Sequence, residues 1–274
     1  MAALRCPVCS AAVDEVGGGI ICPAGHRFDR ARQGYLSLLG GAPRRHLSDT
    51  ATMVAARRRI LDAGVFNAVS GALAREIDPA ARLIVDAGAG TGHYLAAALE
   101  AAPTAGGIGA DLSKYCARAL ARAHPRALAV VADVWSPLPI ASASTDTVLS
   151  VFAPRNAAET ARILAPGGHW LIITPNPAHL AQVREPLGML DIGSGKLARL
   201  HKDLAAAGLA VRRSRSVTAC VALTAESLAD LAGMGPAGFH RTGEQLAAAA
   251  ARLAGPGETA TATIDVTLSV AGRS

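Results

Sequence analysis

The chain has 274 residues, 51% of them hydrophobic and 18% charged, with a formal net charge of +6. That length allows one large domain plus a small appendage, and the apolar content supports a sizeable core. No apolar run approaches the roughly 20 residues of a membrane span, and the N-terminus lacks the apolar stretch of a secretory signal, so a soluble, cytoplasmic protein without a membrane partner is expected.

The charge is unevenly placed. Residues 1–60 hold nine Arg against four acids, whereas the rest of the chain holds eighteen Lys and Arg against seventeen acids. A basic front on a nearly neutral body suits a polyanionic partner.

The first motif is Cys6-x2-Cys9-x12-Cys22-x3-His26. Two thiolates in a CxxC pair grip one ion across a tight turn, and a Cys-His pair completes a tetrahedron, the geometry Zn²⁺ accepts most readily. Gly17, Gly18 and Gly19 lie between the pairs, where a ribbon must turn, and Gly25 precedes His26, where a knuckle needs positive φ. Four protein ligands leave no position open for water, so the spacing predicts a structural zinc ribbon over residues 1–40. So short a segment rarely folds alone, and a structural zinc contributes roughly 10–16 kcal/mol. The alternatives are two chance pairs of core cysteines and, weaker, a redox CxxC, which lacks a surrounding βαβ pattern.

A basic helical lead-in follows over residues 41–78, within a second domain expected over 41–274. From Ala81 strands and helices alternate. "LIVDAGAGTG" reads as an apolar strand with a Gly-rich turn, "HYLAAALEAA" as a helix, and "GGIGAD" as a strand ending at Asp111. "SKYCARALARAH" reads as a helix near a Ser113 cap, and "ALAVVAD" as a strand ending at Asp133. "TDTVLSVFAPRN" is a fourth strand, followed by a helix through Leu164, and "GGHWLIITP" is a fifth strand. The pattern predicts an α/β fold: a doubly wound, Rossmann-like parallel sheet of the class I methyltransferase kind, with ligands at the carboxyl ends of its strands.

The glycines after the first strand are Gly88, Gly90 and Gly92, preceded by Asp86. A dinucleotide fingerprint would want a third Gly where His93 stands, so the turn is not one that seats a pyrophosphate. It resembles the cofactor turn of S-adenosylmethionine-dependent methyltransferases, which closes on the zwitterionic methionine end. Asp111, at the end of the strand that follows, is placed to accept ribose hydroxyls, and Asp133 to accept from the adenine amine.

Taken with the ribbon, "FDRARQGYLSLL", "DTATMVAARRRILDAGVF", "VDAGAGTGHYL", "HPRALAVVADVWSPLP", "VFAPRN", "RILAPGG" and "TPNPAHL" resemble the RlmA-type 23S rRNA (guanine-N1)-methyltransferases, most of all their tylosin-resistance (TlrB) branch. The C-terminal stretch matches more loosely, at "MGPAGFH" and "VTLSV". The resemblance implies zinc on Cys6, Cys9, Cys22 and His26, and S-adenosyl-L-methionine at Gly90, Thr91, Phe66 and His179. It also implies N1-methylation of a guanine in a domain II hairpin loop of 23S rRNA, with resistance to tylosin-type macrolides as the consequence. Homodimerisation is left open.

Guanine N1 carries a proton, so the reaction needs help in losing it or in stabilising charge on O6. The loop of Pro154, Arg155 and Asn156 ends the fourth strand, where related enzymes present the base. Arg155 or Asn156 is the expected O6 partner, Pro154 fixes the loop shape, and a solvated Arg155 is the competing reading. Phosphate contacts are expected from Arg27, Arg30, Arg32, Arg44, Arg45, Arg57 and Arg58, and base stacking from Tyr35. Arg57, Arg58 and Arg59 cannot share one helix face, so at most two reach RNA together. A small-molecule methyltransferase with a structural ribbon, or a non-catalytic rRNA-binding assembly protein, are the alternatives.

Overall fold

A computed structural model of the chain describes residues 2–39 and 48–274. The ribbon is a three-stranded antiparallel sheet of β1 (Asp14–Val16), β2 (Gly19–Ile21) and β3 (Arg27–Asp29). Gly17 and Gly18 form the tight turn between β1 and β2, and both have positive φ, as such a hairpin requires. β4 (Leu36–Ser37) follows. Within the expected lead-in, the described residues form α1 (Ala51–Asp62) and α2 (Asn67–Ala74). The Thr50 hydroxyl caps α1 by accepting from the Met53 N–H.

The alternating stretch comprises β5 (Leu83–Ala87), α3 (His93–Ala101), β6 (Gly106–Asp111), α4 (Lys114–Leu120), β7 (Ala127–Val131), β8 (Thr145–Val151), α5 (Ala157–Ile163) and β9 (Leu164–Pro175). The expected order is present, with small shifts at the ends. β7 stops at Val131, so Asp133 stands in the loop beyond it. β9 begins at Leu164, ahead of the glycines where the strand was expected to start. The remainder folds as α6 (Ala181–Arg184), α7 (Lys196–Ala206), β10 (Leu209–Thr224), α8 (Ala225–Gly233), α9 (Ala237–His240), α10 (Gly243–Ala254) and β11 (Thr259–Arg273).

One eight-stranded sheet carries the body, in the order β10-β11-β9-β8-β5-β6-β7-β4. The strands from β9 to β4 pair in parallel, and β11 and β10 close the far edge antiparallel. Successive residues of a strand face opposite sides, and the sequence fills both sides with apolar groups. Ile84, Leu149, Leu171 and Ile173 enter one core, together with α2, α3, α8 and α10. Val85, Val148, Trp170 and Ile172 enter the other, together with α7 and the ribbon.

The ribbon therefore shares a core with the body. Leu4, Ile20, Leu36 and Leu38 are buried in the same cluster as Ile108, Val130, Ile140 and Trp170. Leu4 bridges Ile140, the Arg5 N–H donates to the Pro139 carbonyl, and β4 forms the edge strand beside β7. Among the described residues, no helix is long and apolar enough to cross a membrane. Because Leu4 is fully buried between ribbon and body, Leu4→Ala should cost about 2–5 kcal/mol of global stability. Urea unfolding followed by tryptophan fluorescence checks this: a single transition displaced to lower urea is expected, with no separate early loss of the ribbon.

Candidate functional site

The four ribbon ligands converge. The donor atoms of Cys6, Cys9, Cys22 and His26 all lie within 4.8 Å of one another. Cys6 Sγ is 3.6 Å and Cys22 Sγ 3.3 Å from His26 Nδ1, and Cys9 Sγ is 3.6 Å from Cys22 Sγ. A tetrahedral ion with bonds of about 2.0–2.3 Å needs edges of about 3.3–3.8 Å, so the set fits Zn²⁺ through Nδ1. Burial disfavours the Cys22 thiolate, but amide donors from His26 and Ala24 and its neighbours' side chains outweigh that and lower the thiol to about 6. Turn hydrogen bonds from the Ser10 N–H to the Cys6 carbonyl and from the Gly25 N–H to the Cys22 carbonyl close the two knuckles.

A cavity of about 490 Å³ opens at the carboxyl ends of β5, β6, β7 and β8. Gly88, Ala89, Gly90 and Thr91 form part of its wall. Gly88 and Gly92 have positive φ, and neither has room for a side chain. A Cβ on Gly88 would lie 2.5 Å from the Ala153 Cβ, and one on Gly92 would lie 2.5 Å from Leu120 Cδ1. Gly92, expected to touch the cofactor, starts α3 and stands against α4.

The acids occupy different depths. Asp111 and Asp133 line the cavity. The Asp111 oxygens accept from the Gly90 and Ser113 N–H groups, and Asp133 accepts from the Trp135 N–H; each carboxylate keeps lone pairs for a ligand. Asp86 is 1% exposed, stands behind the turn, and its Oδ1 has no partner. Burial, with help from the Asp111 charge, pushes its carboxyl up to about 8. Expected among the cofactor contacts, it does not line the cavity but is buried near the end of β5.

Phe66 and His179 both reach the cavity, and a residue the sequence reading passed over joins them. Phe152 stands 5.6 Å from Phe66 and 5.5 Å from His179 between ring centroids. It is 41% exposed and adopts φ +54° without being Gly, which costs on the order of 1 kcal/mol or more. Burial, and then the Arg184 charge, lower His179 to about 4, so it is neutral at pH 7. The Asp265 N–H donates to His179 Nδ1, which leaves the proton on Nε2. Tyr94 is also buried in the cavity wall, and burial keeps its phenol protonated.

The expected loop residues divide. Ala153 and Pro154 line the cavity beside Phe152. Arg155 and Asn156, the expected O6 partners, are not among the lining residues. Arg155 Nη1 donates to Thr174 Oγ1 at 3.0 Å, and burial lowers its pKa. The Asn156 Oδ1 caps α5 by accepting from the Glu159 N–H, and its Nδ2 donates to the carbonyls of Val134 and Trp135.

The basic residues are also redistributed. Arg27, Arg30 and Arg32 lie on the ribbon, with Arg27 paired to Asp29 and Arg30 to Glu15. Tyr35 is half-buried against the main core, because the ribbon seats on the body there. Arg44 and Arg45 fall outside the described residues. Arg57, expected to contact phosphate, lines the cavity, and Arg59 pairs with Asp230. Arg58 stays exposed and lines a groove with Tyr115, Arg118 and Arg122, which also holds Asp62. The helical spacing of Arg118 and Arg122 was the available signal for that groove.

Residues 4–44 match the family described as RlmA, N-terminal, a zinc ribbon, and residues 84–168 match a methyltransferase domain family. The 23S rRNA (guanine(748)-N(1))-methyltransferase of Streptomyces fradiae is 41% identical over 272 residues, covering 97% of this chain and 95% of its own. A Micromonospora griseorubida protein assigned as a 23S rRNA (guanine-N(1)-)-methyltransferase is 42% identical over 279 residues, or 92% of each chain. A chain of the Haloferax volcanii complex between the Trm112 methyltransferase activator and a methyltransferase shares the fold. It has TM-score 0.50 and 22% identity, over 82% of this chain and 99% of that one.

The buried Asp86 makes stability depend on pH. Its folded pKa, about 8, lies above the ordinary carboxylate value. The folded state therefore binds the proton more tightly, and the associated stability is complete in acid and declines as pH rises toward 8. Asp86→Asn removes this dependence. Thermal melts between pH 5 and 9 should show the wild type losing ground to the variant by several degrees, on the order of a few kcal/mol.

Proposed function

From the membership of this chain in the family of 23S rRNA (guanine-N1)-methyltransferases, we propose that the cavity binds S-adenosyl-L-methionine and receives one guanine from a domain II hairpin loop of 23S rRNA. The observation that carries this is the continuity of the cavity. The Gly-rich turn, Asp111 and Asp133 line the same cavity as Phe152, Ala153 and Pro154. The guanine methylated by the Streptomyces fradiae relative, 748, is the best-supported target, with tylosin-type macrolide resistance as the consequence and the cytoplasm as the place of action. Residues 1–40 serve substrate recognition and residues 41–274 serve methyl transfer.

The cofactor supplies a methyl group activated by a sulfonium. The residues supply position and charge control. Asp111 and Asp133 accept hydrogen bonds from the nucleoside end, and Gly90 and Thr91 let the backbone approach the ligand. Phe66 offers an aromatic face to a cationic centre. His179 adds no repelling charge, because it is neutral. With its proton on Nε2 it can donate to the base but cannot accept the N1 proton there. Phe152 and Pro154 hold the guanine in line with the methyl group, the Nε2–H of His179 can donate to O6 as charge builds there, and the N1 proton passes to solvent water.

The RNA backbone follows Arg27 and Arg32 on the ribbon and the groove of Arg58, Arg118 and Arg122, where Tyr115 can stack an unpaired base. Ribosomal RNA from a host lacking the modification should acquire a primer-extension stop in the domain II hairpin after incubation with the protein and cofactor, because N1-methylation blocks the pairing edge. No stop there overturns the target. Phe152→Ala should lower kcat/KM by ~10–100-fold, the loss of one base-stacking contact, while the dissociation constant for the cofactor changes by less than about threefold; comparison of single-turnover rates and cofactor titrations checks this.

A further inference from the structure

Arg57 was expected to face RNA but faces the Gly-rich turn. Its Nη1 is 2.5 Å from Asp49 Oδ2, and its Nη2 donates to the Met234 carbonyl at 2.8 Å. A Cβ on Gly90 would stand 3.4 Å from Nη1 and 3.8 Å from Cδ, so the guanidinium lies directly across the bare face of that glycine. Asp49 is held from the other side, since Ser113 Oγ donates to its carbonyl at 2.7 Å. Asp49, Arg57 and Gly90 line the cavity together with Met234 and Gly235. A fixed ion pair thus borders the cavity where its wall is backbone.

A pair in this place is expensive unless it has work to do. Taking two charges out of water costs several kcal/mol each, and their attraction recovers that only with further hydrogen bonds. Both side chains are 24% exposed, toward the cavity they line. A guanidinium has five N–H groups, and the contacts to Asp49, the Met234 carbonyl and, at 3.9 Å, Cys116 Sγ engage three of them. Asp49 likewise keeps an oxygen that Arg57 does not take. The remaining donors and acceptor set opposite charges side by side at the cavity wall.

We infer that Arg57 and Asp49 receive the amino-acid end of the cofactor, Arg57 binding its carboxylate and Asp49 its ammonium group. This rests on the reading of the cavity as the S-adenosylmethionine site. It explains how a cavity that also holds Asp111 and Asp133 binds a carboxylate at all: without a cation beside the Gly-rich turn, those acids would repel it. The competing account makes Arg57 a brace that ties α1 to the Met234 carbonyl and has no ligand role.

Two ligands separate the accounts. S-adenosylhomocysteine carries the amino-acid end, and 5′-methylthioadenosine keeps the nucleoside and thioether but lacks that end. Calorimetric titrations with wild type, Arg57→Met, Arg57→Lys and Asp49→Asn are the test. Arg57→Met and Asp49→Asn should each weaken S-adenosylhomocysteine by ~10–100-fold, the range for a hydrogen bond to a charged group. Binding of 5′-methylthioadenosine should move by less than about threefold, and Arg57→Lys should recover part of the loss. Because 5′-methylthioadenosine reports an intact cavity in each variant, a folding defect shows as weakening of both ligands. Equal weakening of the two, in every variant that moves, overturns the inference in favour of the brace, as does unchanged S-adenosylhomocysteine binding. A wild type that binds neither ligand overturns the cofactor reading itself.

Discussion

The turn from Gly88 to Gly92 has no room for side chains at its two ends, and the site depends on that. Gly88 lies against Ala153 and Gly92 against Leu120, each so closely that a single methyl group would overlap its neighbour well inside normal contact distance. The first approach fixes how near the β8 loop stands to the end of β5. The second fixes how near α4 stands to the start of α3. Positive φ at both positions adds the requirement for glycine. These two contacts fix the course of the turn that forms part of the cavity wall.

Charge in the cavity is managed by burial as much as by residue type. Asp86 is an acid that burial holds protonated, and His179 is a base that burial holds neutral. Arg57 keeps its charge because Asp49 is beside it and Asp111 is near. The cavity thus presents localised charges in a few places and aromatic surface elsewhere, which matches a ligand with a zwitterionic end, a polar nucleoside and a sulfonium between them. Phe152, held at φ +54°, is a place where local backbone preference is overridden so that a ring can face the cavity.

The ribbon is coupled to this arrangement through the sheet. β4 extends the body sheet beyond β7, and β7 leads into the Asp133 loop. Zinc holds the ribbon's own fold, while Leu4, Leu36 and Leu38 anchor it in the body core. A ribbon seated in this way shares one packed core with the sheet that carries the cavity.

The sequence by itself determined the metal ligands, the order of strands and helices, the Gly-rich turn and the two acids that line the cavity, because each is written as a local spacing. It also placed Phe66 and His179 in the site, but through resemblance, since they stand on widely separated segments of the chain. What only the tertiary structure decided were the directions of side chains. Arg57, Arg58 and Arg59 are adjacent in sequence yet go to the cavity, to a groove and to Asp230. A helix turns by about 100° per residue, and what each side chain then meets comes from distant segments. Arg155 and Asn156 looked free in "VFAPRN" but are engaged by Thr174, by the start of α5 and by the 134–135 backbone. Phe152 was hidden for the converse reason: at a strand end an apolar residue reads as core, and only its left-handed backbone, beside the Gly88–Ala153 contact, brings it into the open.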